Sequence, residues 1–201
     1  AAMIACVEAA LQRGHGHGLE GQKVVVIGGA GPVGRIACVI AAQAGARVCL
    51  SNRDGLVEAE TAAGVTGVRF GVTLQGVSGE SQDTVHASLA DADVILACAA
   101  AGVQVLSAVD LSHARRLKVA ADVNAVPPSG IAGIGVMDNG VPLADTQAVG
   151  IGALAIGNVK YQTQHRLLVR MHDSHTPLVL SFPEAFATAR QFLQEQACGR
   201  A

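Results

Sequence analysis

The stretch Val24–Ala37, "VVVIGGAGPVGRIA", decides the fold of this chain. Its first residues are an apolar, β-branched run that ends in glycine, a pattern typical of a buried strand. Residues 33–44 continue as a long run of apolar residues and helix formers, which Gly45 stops. The stretch is therefore predicted to be a strand, a glycine-rich loop and a helix in direct succession.

The loop carries the pattern G-x-G-x-x-G at Gly29, Gly31 and Gly34. In a strand–loop–helix context, these glycines permit a tight turn, the approach of a pyrophosphate and close helix–strand packing, respectively. The helix then offers free N–H groups to the phosphates. A purely structural glycine turn is the alternative. The predicted dinucleotide-binding residues here are Gly29, Ala30, Gly31, Pro32, Val33 and Gly34. No Gly-Lys-Ser/Thr follows, which argues against a P-loop.

Strand and helix patterns alternate outward from this unit. The predicted strands are residues 23–28, 46–51, 67–72, 93–100 and 117–123, and the predicted helices between them lie within 33–44, 55–63, 80–92 and 102–111. Such alternation predicts an α/β fold of Rossmann type, with a doubly wound parallel sheet and helices on both faces.

Helical patterns also flank this core. Residues 1–13 and 149–172 are predicted helices, and residues 181–196 are a third, with a capping-box spacing from Ser181 to Glu184. Its apolar face is Phe182, Phe186, Ala189 and Leu193. Because the sequence opens in a helical pattern without Met, we expect residues 1–18 to be a helix left from a missing N-terminal substrate domain plus a linker. Residues 19–201 are then the NAD(P)-binding domain with C-terminal helices.

Composition narrows the possible partners and the compartment. The 201 residues carry a formal charge of −2 with four Phe, one Tyr and no Trp, which argues against a nucleic-acid or membrane-surface role. The five cysteines show no metal-ligand spacing, and three of them lie in apolar runs, which favours a reducing, cytoplasmic location. His15 and His17 in the glycine-rich loop after the first helix are interpreted as solvated, and no metal site is expected.

The end of the second strand favours one dinucleotide over the other. A carboxylate at this position would hydrogen-bond the 2′-hydroxyl of NAD and repel a 2′-phosphate. The chain has Ser51, Asn52 and Arg53 instead, two neutral hydrogen-bonding residues and a cation suited to phosphate. The sequence therefore predicts NADP as cofactor, with NAD also possible.

Four segments resemble the cofactor domain of the NAD(P)-dependent methylenetetrahydromethanopterin dehydrogenases, bacterial enzymes of one-carbon metabolism. They are "GQKVVVIGGAGPVGR", "VCLSNR", "VAADVNAVPPSGIAGIG" and "VGIGALAIGNVKYQTQHRL", within about residues 20–170. The glycine loop is generic, whereas "DVNAVPP" and "GALAIGNVK" are specific. The resemblance is closer to the branch that accepts both cofactors. It implies hydride transfer from methylenetetrahydromethanopterin to NAD(P), giving the methenyl form, and a chain that is possibly inactive without its N-terminal domain.

The resemblance also assigns residues. Lys160 matches a lysine that points into the family's cleft, so it is the candidate catalytic residue, with a surface lysine as the alternative. Ala99 and Ala100 follow the fourth strand and leave room for the nicotinamide ribose. Asn124 is a candidate for the cofactor's ribose or carboxamide, or else a turn residue before Pro127 and Pro128.

Two other interpretations compete with this one. A methylenetetrahydrofolate or shikimate-type NADP dehydrogenase would use the same cofactor, and a non-catalytic dinucleotide-sensing module would use the same fold. The apolar composition leaves surface to cover, so a homo-oligomer is expected.

Overall fold

The computed structural model describes residues 1–199 and is built on one seven-stranded sheet. Its strands are β1 (Lys23–Ile27), β2 (Arg47–Asn52), β3 (Gln75–Ser78), β4 (Val94–Ala97), β5 (Val119–Asp122), β6 (Asn139–Pro142) and β7 (Val149–Ile151). The strand order is β3-β2-β1-β4-β5-β7-β6, and every pair is parallel except β6 with β7. The predicted α/β fold with a Rossmann-type parallel sheet is confirmed.

Seven helices cover the two faces of the sheet in the part of the chain that the structure describes. They are α1 (Ala2–His15), α2 (Pro32–Gln43), α3 (Leu56–Phe70), α4 (Gln82–Leu89), α5 (Ala108–Ser112), α6 (Ala153–His172) and α7 (Phe182–Cys198). One core holds α1, α2, α3, α6 and α7, and the other holds α4 and α5. Within β1, Val24 and Val26 face the first core while Val25 and Ile27 face the second, as side-chain alternation along a strand requires. None of the helices in residues 1–199 is both long and apolar enough to span a membrane.

The predicted third strand at residues 67–72 is wrong. These residues complete α3, which ends at the left-handed Gly71 (φ 66°). Gly67 lies inside the helix because a Cβ there would come within 2.6 Å of the Val72 carbonyl oxygen. The true third strand, Gln75–Ser78, is a short sheet edge. An edge strand needs no continuous apolar run, so the sequence pattern missed it.

The segment after β5 also differs from its prediction. Residues 149–151 are β7 rather than the start of a helix, and β6 pairs antiparallel with it. The helix begins at Ala153 because Gly152 packs against Gly135, where a Cβ would lie 2.0 Å from the carbonyl oxygen. Glycine was the signal that the prediction overlooked.

The first helix is part of the main core. Ile4, Val7 and Leu11 of α1 are fully buried. Arg190 of α7 donates from Nε and Nη2 to the two carboxylate oxygens of Glu8, at 2.5 and 2.6 Å. This two-point ion pair ties the two ends of the chain together.

Helix α7 has the predicted start and apolar face. The Ser181 N–H donates to Glu184 in a capping box. Ala189 is buried in the core, and Phe182, Phe186 and Leu193 pack against it.

Candidate functional site

The glycine loop lies between β1 and α2, and steric contacts dictate its residues. Gly28 has a left-handed backbone (φ 73°), and a Cβ there would lie 2.9 Å from the Ala99 backbone. Gly28 is therefore the turn residue, a role that the sequence had assigned to Gly29. Gly29 lacks a side chain for another reason, since a Cβ would meet Leu50 at 2.8 Å and the Val26 carbonyl oxygen at 2.9 Å.

Gly34 and Gly31 differ in what surrounds them. A Cβ on Gly34 would lie 2.5 Å from the Gly28 carbonyl oxygen, so the predicted close packing of helix on loop is confirmed. A Cβ on Gly31 would meet only the Gly28 carbonyl oxygen, at an ordinary 3.5 Å. The fold itself tolerates a side chain at Gly31. The bare backbone there leaves space for a ligand instead.

The amino end of α2 faces this space. Gly31 is the N-cap and Pro32 the first helical residue. The next residues, Val33 and Gly34, have first-turn N–H groups, which a helix leaves without partners of its own. Arg35 Nε donates to the Ala30 carbonyl oxygen at 2.7 Å, which folds its guanidinium against the loop. This cation beside a phosphate-binding loop was missed by the sequence interpretation, although it directly follows the last glycine.

A first cavity of about 390 Å³ opens at the carboxyl ends of β1, β2 and β4. It lies at the point where the strand order reverses between β1 and β4, the usual ligand position in open parallel sheets. The predicted residues Ala30, Gly31, Ser51, Asn52, Arg53, Ala99 and Ala100 all line it. Residues that the sequence did not indicate complete the wall: Ile27, Gly28, Gly79, Val85, Cys98, Val103 and Val105. Several of these come from distant segments, which a linear pattern cannot bring together.

The three residues at the end of β2 are differently exposed. Ser51 is almost fully buried, and its carbonyl oxygen accepts from the Gly29 N–H at 3.0 Å. Asn52 Oδ1 accepts from the Asp54 N–H at 3.2 Å. The Arg53 side chain is 91% exposed, and its Nε lies 3.6 Å from Asp54 Oδ1. Arg53 therefore reaches over the rim of the first cavity rather than into a buried pocket.

Asn124 is held by its own loop. Its Oδ1 accepts from the N–H groups of Gly102 and Val126, at 3.0 and 2.9 Å. Its Nδ2 donates to the Pro128 carbonyl oxygen at 2.7 Å, across the cis Pro127–Pro128 bond. Asn124 lines neither of the two cavities described here. The geometry favours the turn alternative, and its contact with a cofactor stays a prediction.

Asp122 organises the same loop and was not predicted. This buried carboxylate at the end of β5 accepts from the N–H groups of Asn124, Gly130 and Ile131, at 2.9, 2.6 and 3.1 Å. A Cβ on Gly130 would lie 2.8 Å from Asp122 Oδ1. The segment "DVNAVPPSG" is thus closed on itself by two polar side chains.

A second cavity of about 580 Å³ lies on the other side of the glycine loop. Its walls come from α1, α2, α6 and α7, and from Val123 beyond β5. Lys160 is the one ionisable side chain among the described lining residues, with Thr163 and Gln164 as polar neighbours. Thr163 Oγ1 donates to the Val159 carbonyl oxygen at 2.7 Å. Val33 also lines this cavity, so the loop from Ala30 to Val33 borders both cavities.

Cys98 is the thiol of the first cavity. Burial, with the nearby Asp122 carboxylate, raises the pKa of the Cys98 thiol to about 12. A thiol with that pKa is almost entirely protonated at neutral pH, so it is no nucleophile. Within residues 1–199 no group of three or more Cys, His, Asp or Glu side chains is placed to hold a metal ion.

Comparison with known proteins identifies the relatives of this chain. No family model matches it. Over 189 residues it is 46% identical to the NAD(P)-dependent methylenetetrahydromethanopterin dehydrogenase of Methylorubrum extorquens, covering 94% of this chain and 64% of that protein. This chain is a relative of that dehydrogenase. The predicted resemblance is confirmed, and the chain spans less than two thirds of the dehydrogenase's length. The Bifunctional protein MdtA of the same organism is 29% identical over 159 residues, which cover 79% of this chain and 54% of that protein.

Solved structures agree on the fold. Shikimate 5-dehydrogenase from Listeria monocytogenes, in complex with shikimate and NAD, superposes with a TM-score of 0.52 at 18% identity, over 78% of this chain and 53% of that one. The transhydrogenase from Sinorhizobium meliloti gives a TM-score of 0.54 at 15% identity, over 97% and 54%. At such identities the dehydrogenase relative and these structures share architecture only.

Proposed function

We propose that this chain is the cofactor-binding part of an NAD(P)-dependent dehydrogenase that takes a hydride from methylenetetrahydromethanopterin. The observation that carries the proposal is the 46% identity to the enzyme of that name, which runs through both cavities. The identity covers the glycine loop, the end of β2 and the helix of Lys160. The proposal is the best-supported account because the relative and the fold lead to the same class of cofactor.

The first cavity fits a dinucleotide. Gly31 leaves open the space that a pyrophosphate needs, while its neighbours Gly29 and Gly34 are closed by protein atoms. The amino end of α2 and the Arg35 guanidinium supply the positive potential that phosphates require. Ala99 and Ala100 present small side chains beside the loop. The nicotinamide, when bound, supplies the hydride acceptor.

The second cavity fits a flat, mostly apolar substrate with a few polar atoms. Its lining is apolar apart from Lys160, Thr163 and Gln164. We assign Lys160 to hold polar atoms of the pterin ring. Oxidation of a methylene bridge to a methenyl cation is assisted by the lone pair of a substrate nitrogen, so the protein need not remove a proton. The chain's contribution is then orientation and exclusion of water, which needs no acid–base pair.

The test is turnover by the full-length protein with two carriers. Formation of reduced nicotinamide is followed with methylenetetrahydromethanopterin and with methylenetetrahydrofolate, each with NAD and NADP. The proposal expects the higher kcat/KM with the methanopterin carrier. A preference for the folate carrier would replace the substrate. Binding of dinucleotide without turnover of either carrier would favour a sensing module.

A homo-oligomer and a cytoplasmic location complete the proposal. Helix α3 supports self-association because it leaves Val57, Val65 and Val68 70%, 58% and 89% exposed along one face. Five unpaired cysteines, three of them buried, support a reducing compartment. Sedimentation of the wild-type protein and of Val68→Asp tests the first point. A monomer in both, at micromolar concentration, would contradict it.

A further inference from the structure

A second inference rests on the proposed function and concerns the choice between NAD and NADP. The sequence places no carboxylate directly at the end of β2, yet the structure brings two to the turn that follows it. Glu58 Oε2 and Glu80 Oε2 lie 3.2 and 3.7 Å from the point where a Cβ on Gly55 would be. Gly55 adopts φ 122°, which a residue with a side chain rarely adopts. Both carboxylates therefore face one bare turn beside Arg53.

Glu80 reaches this turn from the neighbouring strand. Ser78, the last residue of β3, is paired with Asn52 at the end of β2. The Gly79 N–H donates to the Asn52 carbonyl oxygen at 2.8 Å, and the Glu80 N–H donates to Ser78 Oγ at 3.3 Å. A Cβ on Gly79 would come within 2.6 Å of Ser51 Oγ, so β3 must approach β2 through a glycine.

These contacts fix the backbone of Glu80 beside the first cavity. Gly79 itself lines that cavity together with Asn52 and Arg53. The ribose that carries the 2′-substituent lies at the end of the second strand in folds of this kind. Glu80 thus comes from outside the stretch in which a dinucleotide-specifying acid is normally sought.

The charges around the turn are unbalanced. Arg53 is the cation, and Asp54, Glu58 and Glu80 are the carboxylates within the turn and its immediate contacts. Asp54 already lies 3.6 Å from Arg53 Nε. A 2′-phosphate placed here gains the Arg53 guanidinium but faces the remaining carboxylates, whereas a 2′-hydroxyl can donate to a carboxylate.

We propose that Glu80 is a specificity-determining residue that opposes the 2′-phosphate and lets NAD compete with NADP, against the pull of Arg53 toward NADP. The chain then reads the ribose with one side chain from each of two adjacent strand ends. This gives a physical basis for the use of both cofactors.

The experiment measures binding rather than turnover. NADH and NADPH are titrated against the 201-residue protein by nucleotide fluorescence, for wild type and for Glu80→Gln. Removing one nearby carboxylate is expected to shift the NADH-to-NADPH Kd ratio toward NADPH by about three- to tenfold. Arg53→Ala should shift the ratio the opposite way by a similar factor. Circular dichroism confirms that the variants fold.

Glu60→Gln is the matched control, because Glu60 is an exposed glutamate of the same α3 that does not contact Gly55. It should leave the ratio unchanged. An unchanged ratio in Glu80→Gln, or an equal shift in Glu60→Gln, would overturn the assignment of Glu80. If the wild-type protein binds neither nucleotide, the proposed function falls as well, so the two failures are distinguishable.

Discussion

The two cavities on either side of the glycine loop are built from different materials. The first is walled largely by backbone, at the ends of three adjacent strands, and its shape depends on glycines that cannot be replaced. The second is walled by side chains from α1, α2, α6 and α7, with Lys160 as its charged group. The first cavity is thus specified by local sequence and the second by the packing of distant helices. Substitutions that fill one glycine at a time separate the two.

The largest effect is expected for Gly34→Ala. A Cβ there would lie 2.5 and 2.6 Å from the backbone of Gly28 and Gly29, which cannot move without disrupting the end of β1. We expect a loss of about 2–4 kcal/mol in the free energy of unfolding, measured in urea. The matched control is Gly31→Ala, whose Cβ would find its nearest neighbour at 3.5 Å, so its unfolding free energy should be nearly that of wild type. Equal destabilisation by both variants would contradict the distinction drawn between these glycines.

Lys160→Ala tests the second cavity. Lys160 lines that cavity and not the first. In the full-length enzyme the substitution should lower kcat/KM more than tenfold, about 1.4 kcal/mol or more of transition-state stabilisation. The Kd for NADPH should stay within about twofold of the wild-type value. An unchanged kcat/KM would remove Lys160 from the site, and weaker nucleotide binding would place it with the first cavity.

Asp110→Asn tests the helices that support the first cavity from behind. Asp110 of α5 accepts from the Ser107 N–H and hydroxyl at 2.7 Å each, and lies 2.6 Å from His86 Nε2 of α4. Burial alone would raise the pKa of Asp110, but these hydrogen bonds outweigh it and hold the pKa below its ordinary 3.8. The charged form therefore stabilises the fold above that pH, and this contribution disappears as the pH falls through the folded-state pKa.

Unfolding in urea at pH 7 and near pH 3 measures this contribution. At pH 7 the Asp110→Asn variant should be about 1–2 kcal/mol less stable than wild type. The difference should shrink toward pH 3, because only the wild type loses stability on protonation of Asp110. A difference that does not depend on pH would show that the carboxylate charge contributes nothing.

The smallest effect is expected for Gly157→Ala in α6. No heavy atom lies within 4 Å of the position that its Cβ would take, and the residue is inside a helix. Alanine should therefore stabilise the chain by about 0.5–1 kcal/mol, seen as a higher Tm. Because Gly157 lines the second cavity, the KM for the methylene carrier in the full-length enzyme should rise while nucleotide binding stays the same. A lower Tm would mean that the helix is more crowded than the structure shows.

The comparison of the cavities also explains how far the sequence could be interpreted. The strand, loop and helix around Gly31 were predicted because short-range sterics dictate their residues. The third strand was misplaced because an edge strand such as Gln75–Ser78 needs no apolar run. Glu80 was missed for a related reason, since its position depends on the pairing of β3 with β2 and that pairing leaves no local pattern.

The second cavity was less accessible to sequence interpretation. Lys160 was selected through resemblance to a family, because a single lysine on a helix has no distinctive pattern of its own. Its neighbours in the cavity include Met3, Val123 and Ala185, which lie far apart in the chain. Only the packing of the helices on the sheet shows that they share one space.

The most direct test of the account is a titration of the 201-residue protein with NADPH and NADH, repeated with Gly31→Ala. The account predicts saturable binding to wild type with a Kd below about 1 mM for at least one nucleotide. It further predicts at least about tenfold weaker binding to Gly31→Ala at an unchanged Tm, because the added methyl group occupies the space reserved for the pyrophosphate. Wild-type protein that binds neither nucleotide, or a Gly31→Ala variant that binds as tightly as wild type, would contradict it.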